Sequence, residues 1–340
     1  MTSNRRQFLQ LGAVGLAATI AKPSAVARGS SPSQGRRYHL VQIDVFSSQR
    51  LQGNPLAVFT DARGLSDSEM QAIARETNLQ ETTFIIPREP AIETEHGIKV
   101  RIFTPEEEVP FGGHPTLGTA MVVRNRRAAQ SQSAAAGNEL HQEISLDLKV
   151  GKIPVAFRKD NSGNIFGEMH QVDPVFGKIH DRETVAGLVG VKPEEISEEW
   201  PIQAVSTGLQ FALVPLKRLS TLQSLRPNLE KISAYFGHEP VLSDFYYVTR
   251  DTQDSAVGLR SRAIYPSGED PATGSAAGCT AAWMVRYGIA QPGETIHIEQ
   301  GVEIKRPSQI FVRASKQGDK VVEVRVGGHA VEIMQGEWSL

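Results

Sequence analysis

Three side chains able to take or hold a proton stand at turns of the chain: Glu81 at a helix-to-strand corner in "LQETTFII", and His114 in "FGGHPTLG" and Asp270 in "DPATGSAAG" beside small residues. Histidine titrates near neutral pH and a carboxylate can orient or share a proton, so His114 and Asp270 are candidates for proton handling. Each also has a plainer reading: Asp270, just before a proline, as a helix N-cap, and His114 as a hydrogen-bonded turn residue. Glu81 follows the helical run "MQAIARETNL" and directly precedes the strand-like "TTFII". Beside Phe84 and Ile85 its carboxyl group can be held partly out of water, which raises a pKa towards the range of a general base. A surface corner residue is the alternative for Glu81.

Spacing joins two of these sites. Sliding the sequence by 161 positions lays residues 97–121 on 258–282 with eight identities in 25: Gly97, Arg101, Pro105, Glu108, Pro110, Gly113, Thr119 and Ala120 meet Gly258, Arg262, Pro266, Glu269, Pro271, Gly274, Thr280 and Ala281. "GNPLAV" from Gly53 and "GLQFAL" from Gly208 form a weaker echo upstream. In this register His114 falls on Ser275, each directly after its glycine, Gly113 or Gly274. If a helix starts at each point, both present unpaired backbone N–H groups and a positive dipole end, an arrangement that binds a carboxylate or stabilises an enolate-like charge. Small residues would leave a ligand room to approach, although glycines of this kind also serve close helix packing.

Those residues need elements to position them. From Tyr38 short apolar runs alternate with amphipathic helices. "YHLVQIDVFS", "NPLAVFT", "TTFIIP" and "IKVRIFTP" read as strands; "DSEMQAIARETN" and "HPTLGTAMVVRNR" read as helices, the second with Pro115 in its first turn, where a missing N–H does no harm. The order recurs after residue 200. This predicts an α+β chain of two similar domains, 38–160 and 161–340, each an antiparallel-rich sheet around a central helix, facing one another across a cleft. "RRAAQSQSAAAGNELHQE" (126–143) reads as an exposed excursion and "NSGN" (161–164) as a tight turn near the domain join.

Composition excludes other classes. A formal charge of −2 over 340 residues, without a basic stripe, leaves no nucleic-acid partner to expect. One cysteine, Cys279, allows neither an internal disulfide nor a zinc site of several thiolates, and the scattered histidines lack metal-ligand spacing. Phosphate-loop, nucleophile-elbow and paired-histidine motifs are missing. Residues 1–27 have the layout of a cleavable signal: Arg5-Arg6, Phe8-Leu9, a weakly apolar run and Ala25-Val26-Ala27. The run from Leu11 to Ala21 falls short of the roughly 20 residues a bilayer-spanning helix needs. The paired arginines point to the twin-arginine route, hence a periplasmic or exported protein with no membrane insertion after cleavage, residues 28–37 forming a flexible leader. Cleavage removes Arg5, Arg6 and Lys22 and no acids, taking the formal charge from −2 to −5.

"DVFSSQRLQGNPLAVF", "ARETNLQETTFI", "FTPEEEVPFGGHPTLGTA", "STGLQFALVPL" and "DPATGSAAG" occur in order along the chain and together resemble the PhzF phenazine-biosynthesis isomerase family. The resemblance implies a diaminopimelate-epimerase-like fold, a homodimer, and a cofactor-free proton shift on a small-molecule substrate such as trans-2,3-dihydro-3-hydroxyanthranilate. It places the catalytic acid–base glutamate on Glu81, the assisting histidine and aspartate on His114 and Asp270, and substrate-holding positions on Gly113, Gly274 and Ser275. Related racemases use a cysteine at each helix start; "FGGHP" and "DPATG" hold none, so two-thiol chemistry is not open to this chain. An export signal is at odds with a cytoplasmic phenazine pathway and leaves the natural substrate open. Two other readings of the same residues stand beside it: a hydrolase using Ser275, His114 and Asp270, and an exported small-molecule binding protein.

Overall fold

The computed structural model describes residues 35–133, 143–237 and 243–340, of which Arg37–Ser339 make one compact unit. Residues 1–34, which hold the segment read as a signal and most of the expected leader, lie outside the described residues. The chain runs through β1 (Arg37–Val45), β2 (Asn54–Phe59), α1 (Asp67–Thr77), β3 (Glu81–Ile86), α2 (Pro90–His96), β4 (Ile98–Phe103), β5 (Glu108–Val109), α3 (Gly113–Ser133), β6 (Glu143–Leu148), β7 (Gly151–Lys159) and β8 (Ile165–His170). It continues through β9 (Val175–Ile179), α4 (Arg182–Val189), β10 (Gln203–Ser206), β11 (Gln210–Leu216), α5 (Leu219–Ser224), α6 (Leu229–Phe236) and β12 (Ser243–Thr249). Last come β13 (Leu259–Tyr265), β14 (Gly268–Asp270), α7 (Gly274–Arg286), β15 (Ile296–Gln300), β16 (Ser308–Gln317), β17 (Lys320–Gly328) and β18 (Ala330–Ser339).

Pairing follows a mirrored order. The ladder reads β18-β1-β2-β3-β4-β6-β7-β8, crosses at β8·β17, and returns as β17-β16-β15-β13-β12-β11-β10-β9. Parallel contacts fall at matching places: β2 with β3 and β4 with β6 in one half, β11 with β12 and β13 with β15 in the other. The 161-residue register holds at the atomic level. Ile102 faces Val109 across β4 and β5, and Ala263 faces Asp270 across β13 and β14. The identities it rests on include one two-bond ion pair made twice: Arg101 donates to Glu108 at 2.8 and 2.7 Å, and Arg262 to Glu269 at 2.9 and 2.7 Å. Both pairs are largely shielded from solvent, where such fork-to-fork contacts fix geometry best.

α3 packs against β1, β2, β3, β6 and β8, and α7 against β10, β11, β16 and β17. Every residue of α7 from Gly274 to Val285 is buried, as expected of a helix with no charged residue in its first three turns. Outside the sheet, Met70 and Ile73 of α1 cover Phe59, Phe84 and Phe103, while α4, α5 and α6 cover Val214, Phe245 and Tyr247. Burying each such apolar side chain contributes about 1.5–3 kcal/mol. The "NSGN" turn joins β7 to β8, with Asp160 Oδ1 accepting from Ser162 and Asn164 N–H at 2.8 Å. Residues 126–133 depart from expectation: they extend α3 instead of starting an excursion. Alanine, arginine and glutamine hold a helix through intrinsic propensity without an apolar period. The remainder of that excursion, 134–142, lies outside the described residues. Arg37, read as leader, pairs with Ser339 in β1.

Candidate active site

The six residues singled out in the sequence, Glu81, Gly113, His114, Asp270, Gly274 and Ser275, line one cavity of about 530 Å³. Glu81 is the first residue of β3, delivered there by an αL turn at Asn78 that ends α1. His114 lies in the first turn of α3 and Asp270 ends β14. The two helix starts touch: a Cβ added to Gly113 would sit 2.6 Å from Gly274 Cα and closer still to Gly274 C and Ser275 N. The glycines therefore do more than leave room for a ligand. They let two helix N-termini, and two positive dipole ends, converge on one cavity. Phe46, fully buried with φ +64°, lays its ring under Gly274.

Asp270 is not the helix cap that its place in the sequence allowed. The N-cap is Thr273, whose side chain makes no capping bond and instead donates to Asp270 Oδ2 at 2.6 Å. Gln300 fixes the turn: its Nε2 donates to Asp270 O at 2.8 Å, and its Oε1 accepts from Thr273 N–H at 3.1 Å. No side chain caps α7, so its first N–H groups are left to the cavity.

A residue missed in the sequence reading ties the site together. Asn54 opens β2 behind Gly53, whose φ is +73°, and is fully buried. Its Nδ2 donates to Asp270 Oδ1 at 2.6 Å and Ala272 O at 3.0 Å, and faces His114 Nδ1 at 3.1 Å. An Nδ1–H would collide with the amide hydrogens, so the imidazole carries its proton on Nε2. That Nε2 is buried, has no hydrogen-bond partner among the described residues and points towards Glu81 Oε2 at 3.5 Å. Burial holds the His114 pKa down to about 3, so the ring is neutral and the contact with Glu81 is not an ion pair. The one available sequence signal was an amide directly after a glycine, in "GNPLAV", and it had no spacing partner to mark it.

Glu81 is raised well above the usual carboxylate range, first by burial and then by the charge of Asp270. Burial likewise lifts Asp270 to about 7 against the lowering bonds from Thr273 and Asn54. The cavity thus holds a strong carboxylate base, a neutral N–H donor beside it, and uncapped helix N–H groups for an anion. It does not hold a serine hydrolase triad. Asn54 stands between His114 and Asp270, and no hydrogen bond joins Ser275 to His114 among the described residues. Cys279 is buried inside α7, as its position in the sequence indicates.

The model of the phenazine biosynthesis-like (PhzC-PhzF) family matches residues 43–336, and the chain belongs to that family. It is 34% identical over 303 residues to the trans-2,3-dihydro-3-hydroxyanthranilate isomerase of Pseudomonas chlororaphis, covering 88% of this chain and 98% of the relative. An uncharacterised isomerase of Mesorhizobium japonicum is 34% identical over 313 residues, 89% of this chain and 99% of the relative. Among solved structures, a PhzF-family protein of Bacillus anthracis matches with TM-score 0.76 at 25% identity over 90% of this chain and all of that one. A hydroxyproline epimerase of Agrobacterium vitis, at TM-score 0.58 and 10% identity over 90% of this chain and 93% of that one, shares the fold alone. The chain is an isomerase of the PhzF type with the diaminopimelate-epimerase-like α+β fold.

Proposed function

We propose that this member of the PhzF isomerase family moves one proton within a small cyclic amino-carboxylate of the trans-2,3-dihydro-3-hydroxyanthranilate type, with Glu81 as the single acid–base group. Glu81 takes the proton at C3. The released electron pair spreads through the ring diene into the carboxylate, and the same proton is returned at C1. The hydroxyl stays on C3, which becomes the enol carbon of the product. The N–H groups at Gly274 and Ser275 hold the carboxylate as its charge grows, Gly113 keeps the second helix start close, and His114 Nε2–H donates to the substrate beside Glu81. Asp270, through Asn54, keeps that histidine in the donating tautomer.

The observation that carries the reading is Glu81 itself. A desolvated carboxylate, made more basic by Asp270 and not neutralised by its histidine neighbour, is suited to remove a carbon-bound proton and to give it back. The test is proton NMR of residues 28–340 with trans-2,3-dihydro-3-hydroxyanthranilate in D2O, beside Glu81→Gln. Turnover in the parent should fall by about 10²–10⁴-fold in the variant while substrate affinity stays within a few-fold. A variant that turns over at the parent rate would remove Glu81 from the mechanism. The same reading takes in location and assembly: export to the periplasm on the Arg5-Arg6 signal, and a homodimer in solution, supported by the signal layout and by the family resemblance.

A further inference from the structure

The repeat extends further than sequence identity does. Leu56 pairs with Glu81 where β2 runs beside β3, and Phe211 pairs with Asp244 where β11 runs beside β12. Phe84 stands opposite Arg101, and Tyr247 opposite Arg262. Both registers make Asp244 the counterpart of Glu81, as Ser275 is the counterpart of His114. Asp244 also lines the same cavity. This register position therefore gives the cavity one carboxylate from each half of the repeat, and of that pair the mechanism uses only Glu81.

Asp244 has little to balance its charge. Among the described residues it accepts one hydrogen bond, from the N–H of its own neighbour Phe245 at 2.8 Å, and makes no ion pair. Burial raises its pKa to about 7. The described residues of the cavity wall include five acids, Glu81, Glu106, Glu107, Asp244 and Asp270, and no lysine or arginine. Asp270 is already held by Asn54 and Thr273 on both oxygens, and Glu81 stands beside the buried, partnerless Nε2 of His114. Glu106 and Glu107 are exposed to water, which leaves Asp244 as the partly buried carboxylate with acceptor positions to spare. A partly buried carboxylate that faces no cation of its own protein is stabilised by one that arrives with a ligand.

We propose that Asp244 binds the cationic nitrogen of the substrate and makes the site selective for ring carboxylates that carry an ammonium group. The substrate's carboxylate then meets the N–H groups at the start of α7 and its ammonium meets Asp244, both in the half of the repeat opposite Glu81, so the two charges set the ring's orientation over Glu81. This rests on the isomerase reading of the same cavity, and the two can fail separately.

The experiment is calorimetric titration of the mature chain with two inert probes of one shape, trans-2-aminocyclohexanecarboxylate and cyclohexanecarboxylate, on the parent and on Asp244→Asn. The parent should prefer the amino acid by about 10- to 100-fold, the range of a hydrogen bond between charged groups. Asp244→Asn should bring that ratio to within about threefold while affinity for cyclohexanecarboxylate is unchanged, which a merely structural role would not do. A preference retained in the variant, or no preference in the parent, would overturn the assignment of Asp244 and leave the isomerase reading standing. Loss of both probes from the variant alone would make Asp244 a wall residue and overturn the proposal too. A parent that binds neither probe would overturn the proposal, while the isomerase reading stands or falls by the turnover test with Glu81→Gln.

Discussion

Asp270 is 7% exposed, and all of its hydrogen bonds come from neutral donors. Held near pH 7 by burial against an ordinary 3.8, it is a carboxyl group whose ionisation the fold opposes. The sign follows from proton counts. Below about pH 4 it is protonated in both folded and unfolded chains. Between about 4 and 7 the unfolded chain gives up the proton and the folded chain keeps it, so stability falls as pH rises through that window and stays lost above it. Asp270→Asn removes this dependence. Its stability relative to the parent should therefore rise between pH 4 and pH 8, by roughly 4 kcal/mol at most, because one pKa unit is worth about 1.4 kcal/mol. Thermal melts of both proteins across that range measure it; a constant difference would mean that Asp270 titrates normally. If the proposed mechanism holds, the same substitution lowers turnover, placing stability and activity in opposition at one side chain.

The elements set the geometry that those side chains use, and the tightest point is where α3 and α7 meet. Gly113→Ala would drive a methyl group into the backbone of Gly274 and Ser275, which cannot turn aside as a side-chain tip can. The expected cost is about 3 kcal/mol, the upper part of the usual range for overpacking, with a Tm lower by about 5 °C or more. Gly187→Ala, inside α4 with nothing near the added carbon, should be neutral or slightly stabilising and serves as the control. Equal melting temperatures for the two variants would sink the close-contact argument. The repeat was legible in the sequence because identical residues, Arg101 with Glu108 and Arg262 with Glu269, make the same ion pair in both copies. His114 and Asp270 were legible because glycine and proline punctuate the turns around them, and Glu81 because it stands where a helical run gives way to an apolar strand. Asp244 was not, because its equivalence to Glu81 resides in backbone pairing that many sequences can satisfy. Asn54 was hidden for another reason: its three partners lie far from it along the chain and only folding gathers them.

At the scale of the whole molecule, the mirrored ladder has one consequence that local patterns do not carry. The edge strand that flanks β10 is β9, close by in sequence, whereas its counterpart flanking β1 is β18, the last strand. Arg37 pairs with Ser339, and Arg37 Nη1 donates to Glu337 across 300 positions of chain. Until β18 docks, β1 is a bare edge, and Phe59 lacks the Trp338 ring that packs against it at 5.7 Å. The first sheet therefore cannot be completed before nearly the whole chain has been made, and such long-range pairing is slow to form. A signal that threads an unfolded chain through a membrane would act before that point; a twin-arginine signal, which passes folded cargo, suits a protein that must finish folding first. Two variants separate these routes. Arg5→Lys with Arg6→Lys should leave folded, protease-resistant precursor in the cytoplasm. A chain ending at His329, with its signal intact, should also stay unprocessed, because without β18 it cannot present a folded body for export. Fractionation with immunoblotting and limited proteolysis reads both outcomes. Normal processing of the truncated chain would show that export does not wait for the fold, and the twin-arginine assignment would go with it.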